Sequence, residues 1–128
     1  MKTVHVAAAI IIRDSKVFLA KRAKNQHQGG LWEFPGGKCE GDESPEQALI
    51  RELHEEIAII PCTLNKFETV THDYGDKTVC LHFFLVESFE GEAMGNEGQL
   101  TAWFDLMALS ELEFPAANKG VVDKLLAQ

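Results

Sequence analysis

Ser44-Pro45-Glu46-Gln47 marks the start of a helix, and Pro61 sets its limit. Ser44 can cap, Pro45 suits the first helical position, and Gln47 completes a capping box. Leu49, Ile50, Leu53 and Ile57 form an apolar stripe at helical spacing, so a helix is expected from Pro45 to Ile57. Most of what surrounds it reads as strand. VHVAAAIII at 4–12 and VFLAKR at 17–22 flank the turn Arg13 to Lys16, which makes a hairpin. Residues 24–38 carry five Gly or Pro and read as a loop with a short extended piece. Strands are expected at 64–74 and 78–89, turned by Gly75-Asp76, and at 100–106. Pro115 should open a short last helix with Val121, Val122, Leu125 and Leu126 inward. This order predicts an α/β fold layered around a mixed sheet.

With 128 residues the chain is expected to be one domain, 1–128. At that size roughly two-thirds of the unfolded surface can be buried. The formal net charge of −8 argues against direct capture of nucleic acid. An anionic ligand would need a cation between itself and the protein. Cys39, Cys62 and Cys80 have neither disulfide-framework nor zinc-knuckle spacing, so reduced thiols and a cytoplasmic location are expected. The apolar run near the N-terminus is broken by Arg13 and Asp14. It is too short to span a membrane and is not laid out as a secretory signal.

The helix carries an electrostatic oddity. Glu52, Glu55 and Glu56 fall within an arc of about 100°. Like charges so placed repel by a few tenths of a kcal/mol, roughly, per pair. Most acidic runs are solvated surface, but Arg51 is the only Lys or Arg in this helix, and the arc borders Leu49 and Leu53. Carboxylate oxygens suit a hard cation such as Mg²⁺, which is often shared with substrate phosphates. Zinc is disfavoured, because the stretch that begins His54-Glu55 ends in Ala58 where a second His ligand would be needed. A phosphate-binding P-loop is excluded as well, with Trp32 in place of its first Gly and Cys39 in place of its Ser/Thr.

GKCEGDESPEQALIRELHEEIAI, 37–59, resembles the signature of the Nudix family: Gly-x5-Glu-x7-Arg-Glu-apolar-x-Glu-Glu-x-Gly-apolar. Gly37, Glu43, Arg51, Glu52, Leu53, Glu55, Glu56 and Ile59 match, and Ala58 stands where the family has Gly. A helix end often needs a left-handed residue there, which costs Ala about 1 kcal/mol. The segments AAAIIIRD, LWEFPGGK, FFLVESFEGE, GNEGQ and FPAAN are further similar to family members that hydrolyse 8-oxo-dGTP.

The resemblance implies a Nudix fold, an αβα sandwich. The activity implied is metal-dependent hydrolysis of 8-oxo-dGTP to 8-oxo-dGMP and pyrophosphate, a repair step that removes the oxidised nucleotide before replication uses it. It implies Mg²⁺, with Mn²⁺ able to substitute, held by Glu52, Glu55, Glu56, the Gly36 carbonyl and Glu97. Attack falls on the β-phosphorus, with Glu52 as candidate base and Glu97 as its rival. Arg51 and Glu43 are expected to pair and orient helix and loop. Arg22 and Lys38 match positions near the phosphates, and Asn118 matches a base-reading Asn. Tyr74, Lys77 and Phe34 are placed near the base pocket. Trp32 and Trp103 are expected in core or pocket wall, and His5, His27, His72 and His82 receive no chemistry. The expected partner is a small nucleotide, with no direct nucleic acid, no membrane and a monomeric state. The alternatives are hydrolysis of another nucleotide, such as CTP or dCTP, and a silent nucleotide-binding domain. The complete carboxylate set argues against the silent domain.

Overall fold

The computed structural model describes residues 2–21, 31–96 and 98–127. Among these residues nine strands and two α-helices follow in order: β1 Lys2–Arg13, β2 Lys16–Lys21, β3 Trp32–Glu33, β4 Gly36–Lys38, α1 Pro45–Ile57, β5 Ile60–Pro61, β6 Asn65–Asp73, β7 Lys77–Val86, β8 Phe89–Glu90, β9 Thr101–Asp105 and α2 Lys119–Leu126. The main sheet runs β3-β2-β1-β7-β6, with β4 also paired to β1 and β9 to β2. β1 and β7 are parallel while the other pairs are antiparallel, so the sheet is mixed.

β1 is apolar without alternation because both of its faces are covered. Ala7, Ala9 and Ile11 point to α1, where they meet Ala48, Leu49, Leu53 and Ile57. Ala8 and Ile10 point the other way, to Val121, Val122 and Leu125 of α2. The result is the layered mixed sheet that the strand and helix order predicted, in the αβα arrangement that the resemblance implied. Emptying one of these sites, such as the fully buried Leu49 or Leu53, to Ala typically costs about 2–5 kcal/mol.

α1 forms as its sequence dictates. Ser44 Oγ accepts from Gln47 N at 3.1 Å, and Gln47 Oε1 accepts from Ser44 N at 2.9 Å, which closes the capping box. Ala58 ends the helix in the left-handed region, φ 61° and ψ 32°, its N–H donating to Leu53 O.

Most boundaries shift by one or two residues, and three differences are larger in consequence. The strand expected to run to 89 stops at Val86, and Phe89–Glu90 pairs instead with Ile60–Pro61 in a separate small sheet. Cys62 N donates to Ser88 O there, a long-range pairing with no local signal. The strand expected to end at Leu106 gives way to a 3-10 stretch, Leu106–Glu111. Pro115 opens a 3-10 turn, Ala116–Asn118, and the α-helix begins only at Lys119, with Leu126 half-buried beside the core.

Candidate active site

Arg51 organises the acidic end of the site. Its Nε donates to Glu43 Oε2 at 2.8 Å and its Nη2 to Glu43 Oε1 at 2.9 Å, a two-pronged pair. Nη1 donates to Glu52 Oε1 at 2.7 Å, and Nη2 also reaches the Lys38 carbonyl at 3.1 Å. Glu40 and Glu55 stand 3.4 and 3.5 Å away. One guanidinium therefore faces four carboxylates, and the expected repulsion among the helix glutamates is only partly relieved. Arg51 holds the Glu43 carboxyl down at about 2, helped by the Glu40 N–H. Glu43 and Glu52 in turn push the Arg51 guanidinium well above its ordinary value.

Glycine sets the distance between helix and sheet. A Cβ on Gly37 would lie 2.5 Å from Glu52 Cδ, so only glycine lets that carboxylate rest against β4. A Cβ on Gly36, at φ +156°, would meet the Ala7 carbonyl at 2.0 Å. Arg51 occupies Glu52 Oε1, and Oε2 has no protein partner among the described residues. The side chain of Glu55 is about half-exposed, at 54%.

On the opposite face of the sheet, β4 borders a cleft of about 790 Å³. Phe34, Gly36, Lys38, Tyr74, Lys77 and Asn118 all line it, so six residues named from the sequence meet in one place. Phe34 is buried, stacked on Phe114 with ring centroids 5.5 Å apart and edge-on to Phe83 at 5.9 Å. It is core and cleft wall at once. The Asn118 side chain makes no capping hydrogen bond to α2, which leaves its amide available to the cleft. Tyr74 N donates to Lys77 O at 2.9 Å, closing the β6–β7 turn over the rim. Trp32 packs edge-on to Phe104 and Trp103 on Phe18, both against the core, one of the two roles expected.

Sequence reasoning missed Glu33 and Asp76, which also line the cleft, and the way the loop after β8 docks on α1. Asn96 N and Gln99 Nε2 donate to Glu56 O at 2.8 and 3.1 Å, and Asn96 Nδ2 donates to Glu55 O at 3.1 Å. The GNEGQ segment, noted only for Glu97, carried that signal in its flanking amides. Glu97, Arg22 and His27 lie outside the described residues. The three cysteines are free thiols, as expected. Burial, then Glu43, raise the Cys39 thiol above its ordinary value against the pull of Arg51. Among the described residues, the structure brings His5 and His82, which have no ligand spacing in the sequence, together with Cys80. That grouping depends on strand pairing, which sequence spacing does not show.

A family model described as NUDIX domain matches residues 6–124. The chain is 42% identical over 126 residues to an 8-oxo-dGTP diphosphatase of Escherichia coli K12, covering 98% of each. It is 42% identical over 103 residues to a CTP pyrophosphohydrolase of the same strain, covering 80% of this chain and 76% of that one. A solved MutT structure, from work on the Aliivibrio salmonicida and Vibrio cholerae proteins, superimposes with a TM-score of 0.88 at 40% identity over 99% of both chains.

Proposed function

The chain belongs to the NUDIX domain family, and on that premise we propose that it hydrolyses 8-oxo-dGTP to 8-oxo-dGMP and pyrophosphate, clearing an oxidised precursor before replication uses it. The observation that carries this reading is the seam at β4. An apolar and amide-lined cleft lies on one side of Gly36–Lys38, and the Arg51-held carboxylates lie on the other. A triphosphate lying across that strand would have its base in the cleft and its phosphates beside Glu52.

Nudix hydrolases work with a divalent cation, and the donor set fits a hard one. Every candidate atom is oxygen, Arg51 engages only Oε1 of Glu52 among the described residues, and Glu55 is accessible. Glu52, Glu55, Glu56 and the Gly36 carbonyl would hold Mg²⁺, or Mn²⁺ in its place, with Glu97 as a further ligand. Bound there, the cation neutralises phosphate charge and makes water more acidic.

The protein groups supply the rest. Arg51 fixes the orientation of Glu52, and Glu43 fixes Arg51. Glu52 is the candidate base for the attacking water, with Glu97 as its rival. The attack forms the new bond at the β-phosphorus and breaks the bridge to the α-phosphate, so the nucleoside monophosphate leaves. Lys38 and Arg22 would meet phosphate oxygens, while Phe34, Tyr74, Lys77 and Asn118 enclose the base. We take the chain as one domain that acts as a cytoplasmic monomer on a free nucleotide rather than on nucleic acid. Among the described residues no helix is long and apolar enough to cross a membrane.

Hydrolysis of a CTP-type nucleotide is the second reading, because the CTP pyrophosphohydrolase is equally identical over its shorter match. The discriminating experiment compares kcat/KM for 8-oxo-dGTP, dGTP, CTP and dCTP. A strong preference for 8-oxo-dGTP is expected, and a preference for CTP or dCTP would replace the first reading with the second.

A further inference from the structure

β1 and β7 pair in parallel, which sets His5 opposite Cys80 and Ala7 opposite His82. Alternation along β7 puts Cys80 and His82 on one face, and His5 shares it. His5 Nδ1 lies 3.1 Å from His82 Nε2, and the ligand atoms of all three residues lie within 4.8 Å of one another. We propose that His5, Cys80 and His82 form a second metal site, separate from the carboxylates, that takes a borderline-soft divalent cation such as Zn²⁺.

The chemistry supports a nitrogen–sulfur metal. Around tetrahedral zinc, with Zn–N of ~2.0–2.1 Å and Zn–S of ~2.3 Å, neighbouring ligand atoms stand roughly 3.3–3.7 Å apart. The two imidazole nitrogens are already within a few tenths of an ångström of that edge, and His5 is exposed and able to adjust. Three protein ligands leave the fourth position open to water. His5 and His82 line a hollow of about 560 Å³ between the start of β1 and the approach to α1, which gives the cation an entry path. Thr71 Oγ1 lies 3.9 Å from Cys80 Sγ, placed to support the sulfur as the outer partners of metal ligands do.

Among the described residues, His82 Nδ1 is buried without a hydrogen-bond partner, so Nε2 carries the contact that His82 makes at this cluster. Softness separates the two sites. Mg²⁺ prefers the oxygen donors of α1, and a thiolate with two imidazoles prefers zinc or cobalt.

The test is to titrate the full chain with Co²⁺ in the presence of excess Mg²⁺, which occupies the carboxylates. A thiolate-to-cobalt charge-transfer band is expected to saturate at one equivalent and to be displaced by Zn²⁺. The band should be lost in Cys80→Ser and weakened at least tenfold in affinity in His5→Gln, an exposed position whose change spares the fold. Cys62→Ser should leave it intact. Absence of the band in the unsubstituted protein would overturn the proposal. So would a band that survives His5→Gln unchanged or that follows Cys39 or Cys62 instead of Cys80.

Discussion

Arg51 and Glu43 are locked by two parallel hydrogen bonds of 2.8 and 2.9 Å across eight residues of chain. The pair clamps the loop before α1 onto the helix that carries Glu52. Its strength is pH-dependent with a definite sign. The Glu43 carboxyl is held at about 2 in the folded protein, against about 4.3 when unfolded. A depressed carboxylate stabilises the fold fully above its unfolded value and loses that contribution as pH falls through its folded one. The difference in Tm between the unsubstituted protein and Glu43→Gln should therefore be constant from neutral pH to about pH 5 and shrink between about pH 4 and 2. A difference that does not vary with pH in thermal melts would mean that the pair contributes packing alone.

Replacing Arg51 with Lys should be costly although charge is conserved. Lys has no planar fork and cannot reach Glu43, Glu52 and the Lys38 carbonyl at once. A loss of about 10- to 100-fold in kcat is expected, as for other residues that orient ligating carboxylates. Steady-state kinetics at saturating Mg²⁺ would check it, and unchanged kcat would remove Arg51 from the positioning role.

Glu55→Gln should remove most activity and leave the fold intact, because its side chain is largely solvated and its loss relieves repulsion. Chelation with EDTA should abolish hydrolysis in the unsubstituted protein, and added Mg²⁺ should restore it. Turnover of Glu55→Gln that matches the unsubstituted protein at limiting Mg²⁺ would make this glutamate mere surface.

Ala58→Gly should stabilise the protein. Ala58 sits at φ 61°, where a Cβ costs about 1 kcal/mol. Offset by the greater unfolded freedom of Gly, the net gain should be about 0.5 kcal/mol or more, read from urea unfolding. An Ala58→Gly protein of equal or lower stability would show that the surrounding packing, such as the close approach of Gly91 to the Ala58 carbonyl, has absorbed the strain.

Asn118→Ala should weaken selection of the oxidised base. An amide can give its N–H to O6 and accept from N7–H of 8-oxoguanine, whereas guanine offers a lone pair at N7. One bidentate contact is worth about 1–3 kcal/mol, so KM for 8-oxo-dGTP should rise about 5- to 150-fold with little change for dGTP. Equal losses on both substrates would assign Asn118 to the packing of the cleft.

The sequence by itself determined α1 and the charges on it. Capping at Ser44, the stop before Pro61 and the 3.6-residue apolar stripe are local, so each acts within a few residues and could be read one turn at a time. The left-handed end at Ala58 was legible only through the resemblance, which has Gly there. The cleft residues were grouped by the resemblance and not by any local pattern. Tertiary structure decided what they meet. Pairing of β1 with β7 joins segments some seventy-five residues apart in sequence and brings His5 onto Cys80. The approach of α1 to β4 rests Glu52 against Gly37 and makes Arg51, expected to pair with Glu43, a hub for four carboxylates. Propensity and periodicity describe neighbours along the chain, whereas these contacts arise only when two covered faces of one sheet choose their partners.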